Sequence, residues 1–203
     1  NKFWFWDSAA AEDTSTFTDQ NLTGTTFTIP SGMASGTYLL ECFLVSEYFD
    51  VVQYSGTGAN RTIAHSMGNV PGFVAFKELS TGSWNGTAYH RSITATKFLA
   101  INTAAVATTL TSMFNDTEPT TTTITVGTQG GVNLSGTNNM IAYAWANSGP
   151  YAFGSYTGNG NADGPFINIG GYPANWLHKH TTSAEGWWAT PIVLPLNEAN
   201  IRE

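Results

Sequence analysis

The sequence predicts an all-β protein: antiparallel β-sandwich repeats of about 100 residues in a fibre-like tandem array. Three observations carry this expectation. Charged residues make up 10% of the 203 residues, against about 25% in an average domain, and Thr, Asn, Ser and Gly fill the difference. Aromatic residues reach 13%, and with abundant Thr they favour a pleated, half-buried surface. Short apolar runs are separated by Gly, Pro, Asn and Ser clusters at the spacing of antiparallel strands.

The strands follow in order. The runs 49–54, 61–65, 72–78, 87–92, 97–102, 122–126 and 139–146 each hold apolar or aromatic side chains between turn residues. A helix has little room. Its best position is 103–114, where the Ala-Ala-Val-Ala stretch favours it, but the Thr pairs lower its propensity and leave at most a short helical turn.

Self-similarity organises the chain. "YSGTG" at 54–58 recurs as "YTGNG" at 156–160, 102 residues later, and in the same register Pro71 falls on Pro173 and Lys77 on Lys179. Trp84 then meets Trp187 or Trp188 after a small insertion. Upstream, "KFWFWDSAAA" at 2–11 is similar to "KFLAINTAAV" at 97–106, "TTFTIP" at 25–30 to "TTITVG" at 122–127, and "SGTYLLECFLV" at 35–45 to "SGTNNMIAYAWA" at 135–146. Such periodicity reads as a repeat array. It divides the chain into the latter half of one unit (1–53), a complete unit (54–155) and the first half of the next (156–203), as in a piece cut from a longer array. Open sandwich halves expose strand edges, so their completion by another copy or a neighbouring unit is expected.

Charge and cysteine content narrow the function. The net charge of −7 and a pI near 4.9 oppose nucleic-acid binding, which needs a basic stripe to meet phosphates. The single cysteine, Cys42, forms no intramolecular disulfide and no cysteine metal cage, and its apolar surroundings suit a buried thiol. No apolar run reaches the roughly 18–20 residues that cross a bilayer.

Each motif has a plain reading beside a chemical one. The glycines of "YSGTG" resemble a phosphate loop, but such a loop opens into a helix and none is expected here. Gly56, Gly58, Gly158 and Gly160 therefore read as structural turns. His65 lacks a neighbouring nucleophile and orienting acid, and reads as a half-buried residue at a strand end. His178 and His180 share one strand face, two ligands where a stable zinc site needs three or four, so no metal is expected. Trp84, Tyr89, His90 and Arg91 combine the ingredients of a sugar site: aromatic faces for C–H-rich pyranose surfaces, and His and Arg donors for hydroxyls or acidic substituents. Tyr89 and Arg91 fall on one strand face and His90 on the other. Trp187 and Trp188 read as interface or core. The carboxylates, of which Asp116 with Glu118 and Asp7 with Glu12 are the nearest pairs, show no spacing that compels a glycosidase, and no catalytic residue is assigned. The five Asn-x-Ser/Thr sequons, at Asn21, Asn60, Asn85, Asn115 and Asn133, are what Asn and Thr abundance produces.

Together, "YTGNG", "HSMGNVPGFVAFK", "YHRS", "TKFLAINTAA", "TTITVG" and "VNLSGTNNMIAYAWA" resemble the tandem repeat domain of fibre and adhesin proteins of tailed bacteriophages, especially marine ones. The resemblance covers the whole chain. It implies a non-enzymatic virion component, extracellular once assembled, without cofactor, membrane insertion or nucleic-acid partner. The implied partners are further copies of the chain in a trimer, other virion proteins and a host-surface glycan. Two other readings stay open: a purely structural head fibre or decoration protein, and a polysaccharide depolymerase.

Overall fold

The computed structural model describes residues 22–23, 26–27, 43–137, 139–171, 173 and 175–191. Antiparallel strands dominate it. A short hairpin joins β1 (Leu22–Thr23) to β2 (Thr26–Phe27). There follow β3 (Phe49–Tyr54), β4 (Arg61–Ala64), β5 (Pro71–Glu78), β6 (Thr87–His90), β7 (Lys97–Ala100) and β8 (Thr108–Thr109). One helical turn, α1 (Thr111–Phe114), leads to β9 (Thr123–Val126), and a second, α2 (Gly130–Asn133), to β10 (Met140–Ala146). A hairpin of β11 (Asn175–Lys179) and β12 (Trp187–Pro191) comes last.

The central sheet has six strands in the order β3-β10-β5-β6-β7-β8. β10 is its spine, pairing antiparallel with β3 from Met140 opposite Tyr54 and with β5 from Met140 opposite Glu78. β5 is buried along its whole length, as a strand covered on both faces must be, and its side chains feed two separate clusters. Val74 and Phe76 join Tyr54, Tyr89, Met140 and the small Ala142 and Ala144 on one face, under the two-stranded ribbon of β4 and β9 and the turn α1. There Ile63, Ile124, Val126, Met113 and Phe114 form the lid.

The opposite face is aromatic. Phe73 and Ala75 meet Tyr143, Trp145, Phe153 and Trp187. The Phe73 and Phe153 rings stack at 5.8 Å, and Phe49 lies 5.1 Å from Trp145. The final hairpin is tied to this side of the molecule: Trp187 Nε1 donates to the Ala100 carbonyl at 2.9 Å, and Ala107 N to the Thr181 carbonyl at 3.0 Å.

The strands expected at 49–54, 61–65, 72–78, 87–92, 97–102, 122–126 and 139–146 are all present within two residues at each end. The shortening of β6 has a cause: Arg91 N makes a last bond to the Gly72 carbonyl of β5, and Ile93 N bonds the His90 carbonyl, closing a turn that ends the strand. Helix within 103–114 is confined to α1, because Thr108 and Thr109 pair with Phe98 and Lys97 instead. The second hairpin has a shorter connection than β5–β6. Ala75 stands opposite Ala88, and Leu177, 102 residues beyond Ala75, stands opposite Ala189, 101 beyond Ala88. Trp187 and Trp188 are thus strand residues facing Lys179 and His178, whereas Trp84 lies in the loop before β6. The expected insertion is a deletion of one residue. The expectations for Asp7, Glu12 and Cys42 lie outside the described residues.

Candidate functional site

At one end of the central sheet, where β5 begins and β6 and β10 end, a cleft of about 340 Å³ is lined by Asn69, Val70, Pro71, Tyr89, Arg91, Glu118, Pro119, Asn147 and Ser148. Its walls are held by buried polar contacts. Asp50 on β3 accepts from Ser66 N at 2.7 Å and Ser66 Oγ at 2.9 Å, and its other oxygen accepts from Val51 N at 2.8 Å. Burial alone would raise this carboxyl, but the Ser66 and Val51 donors and the nearby His65 outweigh it and hold it below its ordinary value. His65 is buried beside it: its Nε2 donates to the Thr120 carbonyl at 3.1 Å, while its Nδ1 is buried without a hydrogen-bond partner. These contacts fasten the loop carrying Asn69 and Val70 to the loop carrying Glu118 and Pro119.

Tyr89 and Glu118 form the floor. The Tyr89 ring is buried edge-on against Phe114, centroids 5.8 Å apart, while its hydroxyl donates to Glu118 Oε2. Burial first, and then the Glu118 carboxylate, push the Tyr89 phenol well above its ordinary value. Glu118 Oε1 accepts from Ala95 N at 2.7 Å, so both carboxylate oxygens are engaged. Unused bonding capacity lies around them. Arg91 is exposed and its guanidinium meets no described partner. Asn147 Oδ1 takes Phe153 N at 2.7 Å and leaves its amide N–H groups open. Ser148 Oγ is buried without a hydrogen-bond partner, and such an orphan costs about 1–3 kcal/mol unless something meets it.

Two of the four predicted sugar-site residues, Tyr89 and Arg91, therefore meet in the cleft. His90 faces the aromatic side of the sheet, 6.2 Å from Phe73 and 6.1 Å from Phe153, where burial first and Arg91 second lower its basicity. Trp84 lies over α2: a Cβ added to Gly130 would come within 2.4 Å of its ring, so it packs on glycine backbone away from the cleft. Glu118 entered the sequence reading only as half of an uncompelling carboxylate pair. Its signal was indirect, a Tyr on the core face of β6 whose hydroxyl must find a partner.

The turn at 54–58 has no capacity for an anion. Gly56 N donates to Asn139 Oδ1 at 3.0 Å, Thr57 N to Asn133 Oδ1 at 2.8 Å and Gly58 N to the Asn133 carbonyl at 2.9 Å. Asn133 has no exposed surface, and its amide also donates to the carbonyls of Ala59 and Gly127, both at 2.7 Å. A side chain at Gly56 would come within 1.8 Å of the Leu134 carbonyl oxygen, which is why glycine is required there. Gly158 and Gly160 stand in open space instead. His178 and His180 have separate roles. His178 is stacked between Trp176 at 4.6 Å and Trp188 at 6.2 Å, and His180 Nδ1 accepts from Ser183 N at 2.9 Å to close a turn. Among the described residues no group of three or more His, Cys, Asp or Glu is placed to hold a metal.

No curated protein and no solved structure matches the chain. A profile does match over residues 45–191, which takes in the central sheet, the cleft and the final hairpin, and the chain belongs to the family it describes, a domain of unknown function designated DUF7483.

Proposed function

We propose that the domain is a recognition module that binds an acidic sugar of a host surface in the Tyr89–Arg91 cleft, as part of a bacteriophage virion fibre. The observation that carries the binding reading is the juxtaposition of the exposed Arg91 guanidinium, which meets no described hydrogen-bond partner, with the open Asn147 amide in one pre-formed cleft. A guanidinium matches a carboxylate or sulfate in a two-pronged geometry, and the amide suits ring hydroxyls. The only aromatic ring in the lining, Tyr89, is buried to its hydroxyl, so the cleft favours polar contacts to a charged sugar over stacking on a neutral one.

Binding without hydrolysis is the preferred reading because glycoside hydrolysis uses two carboxyl groups about 5–10 Å apart, and Glu118 is the one carboxylate in the lining, with both oxygens engaged. The virion setting rests on the sequence resemblance. Several such units in one fibre would convert weak single-site binding into avidity.

Titration calorimetry of the 203-residue chain against oligouronates and neutral oligosaccharides of equal length tests the site. Acidic chains should bind, and Arg91→Ala should weaken them by roughly 10- to 100-fold, the range for a charge-assisted hydrogen bond, with unchanged thermal stability because Arg91 is exposed. Equal affinity for the neutral series, or no effect of Arg91→Ala, would overturn the proposal, and release of reducing ends would establish the depolymerase.

A further inference from the structure

The pentapeptide at 156–160 lies in an exposed stretch, 154–171, that belongs to none of the described strands. Its fourth residue, Asn159, precedes Gly160. The turn is closed as it is in the first pentapeptide. Ala59 N donates to Thr57 Oγ1 at 3.3 Å, and Asn161 N, 102 residues later, donates to Asn159 Oδ1 at 3.1 Å. A side-chain oxygen that takes the N–H two residues on is what Thr and Asn share in turns. Their chemistry differs, because the asparagine amide carbon is an acyl centre and can be attacked, and a threonine side chain has none.

Three features of the second turn favour that attack. The Asn161 N–H holds the oxygen on which negative charge gathers when Cγ is attacked. The attacking atom is free: Gly58 N is bonded to the Asn133 carbonyl at 2.9 Å, whereas Gly160 N meets no acceptor among the described residues. Gly160 also has open space around it at a φ of 69°, a conformation in which glycine moves freely. The amide plane is set from both ends, since Asn159 Nδ2 donates to the Asp163 carbonyl at 2.8 Å.

The other Asn-Gly pair of the chain, Asn85 with Gly86, has the opposite setting. Gly86 is buried, its carbonyl accepts from Ile101 N at 2.7 Å, and a Cβ there would lie 3.3 Å from the Ile101 side chain. Asn85 Oδ1 is held by Asn102 Nδ2 at 2.8 Å. Gly86 leads directly into β6, so its nitrogen reaches Asn85 Cγ only if the strand end opens.

We propose that Asn159 is a site of self-modification, deamidating through its own backbone. Solvent base takes the Gly160 N–H proton, the nitrogen bonds to Asn159 Cγ, and the Cγ–Nδ2 bond breaks with Nδ2 leaving as ammonia. The product is a cyclic succinimide. Water then opens it, giving aspartate where it attacks Cγ and isoaspartate, with Cβ in the main chain, where it attacks the backbone carbon. No oxidant or cofactor enters. Each event adds one negative charge, and the isoaspartate form dismantles the turn between the central sheet and the final hairpin. This holds whether or not the cleft binds a sugar.

The test is to hold the 203-residue chain in mildly alkaline buffer and follow the two Asn-Gly pairs by mass spectrometry of chymotryptic peptides. Asn159 should convert to a mixture of aspartate and isoaspartate at least about 10-fold faster than Asn85, which reacts only from a locally opened state. Asn159→Thr, which restores the residue of the first turn, should abolish the change while leaving the fold intact. In denaturing urea the two sites should react at similar rates. Equal rates in the folded chain, conversion of Asn161 ahead of Asn159, or a difference that persists in urea would overturn the proposal.

Discussion

Two pentapeptides of nearly the same sequence meet opposite fates in this molecule. In Tyr54–Gly58 the tyrosine is 7% exposed, its hydroxyl donates to the Val132 carbonyl, and the next backbone donors end on Asn133 and Asn139. In Tyr156–Gly160 the tyrosine is 54% exposed and the glycines have open space around them. The hairpins that follow diverge in the same way: Phe76 is sealed in the core, and His178, 102 residues later, stacks between two exposed tryptophans. A local sequence thus sets a turn or a strand, but its burial is decided by what a distant segment brings to it. For the first pentapeptide that segment is residues 132–139.

Truncating the matched positions should separate the two regions most clearly. Phe76→Ala opens a cavity in a closed core and should cost about 3–5 kcal/mol, whereas His178→Ala should cost under about 1 kcal/mol, both read by urea denaturation. Equal costs would mean that the second hairpin is as closely packed as the first. The turns should differ by less. Gly56→Ala drives a methyl group into the Leu134 carbonyl and should destabilise by about 1–3 kcal/mol, against a change within about 0.5 kcal/mol for Gly158→Ala.

The smallest difference is one of acid sensitivity. Asp50 and Glu78 are both buried and both held below their ordinary values: burial pushes each up, and hydrogen bonds outweigh it, from Ser66 and Val51 for Asp50 and from Ser80 and Thr81 for Glu78. A carboxyl whose folded value is depressed contributes stability above its unfolded value and loses it as pH falls through the folded one. The central sheet should therefore weaken once the pH drops past the ordinary values of 4.5 for Glu78 and 3.8 for Asp50. The corresponding positions near the final hairpin, Ala152 and His180, carry no carboxyl. Hydrogen exchange followed from pH 6 to pH 3 should show opening in β3 and β5 first, and Asp50→Asn should flatten that dependence. A uniform response of both regions would contradict the assignment.

Much of the central sheet was legible because its signals are local: period-two apolar runs, and turn clusters that end them. The pairing of β4 with β9 was not, since it joins residues about 60 positions apart and depends on which apolar face each strand is given to cover. The site was half legible. Alternation along a strand at 87–92 puts Tyr89 and Arg91 on one face, and although β6 ends at His90, both line the cleft. Glu118 reaches them only through the path of the chain between α1 and β9, a loop with no periodicity. Trp84 lies outside the cleft lining for a physical reason: Gly130 and Gly131 offer its ring a bare backbone surface to pack on.

The position of β10 has a kinetic consequence. It is the last strand of the central sheet in the chain, yet it lies between β3 and β5, pairing Met140 with Tyr54 on one side and Glu78 on the other. The sheet cannot close by adding hairpins one after another. Strands β3 and β5 must hold their edges unpaired until residue 146 has left the ribosome. Contacts of such long sequence separation form slowly, and the waiting edges are the places where a nascent chain recruits the wrong strand. Assembly of the whole sheet is gated by one late insertion, so slowing the arrival of β10 would lengthen the time for which the chain is open to mispairing.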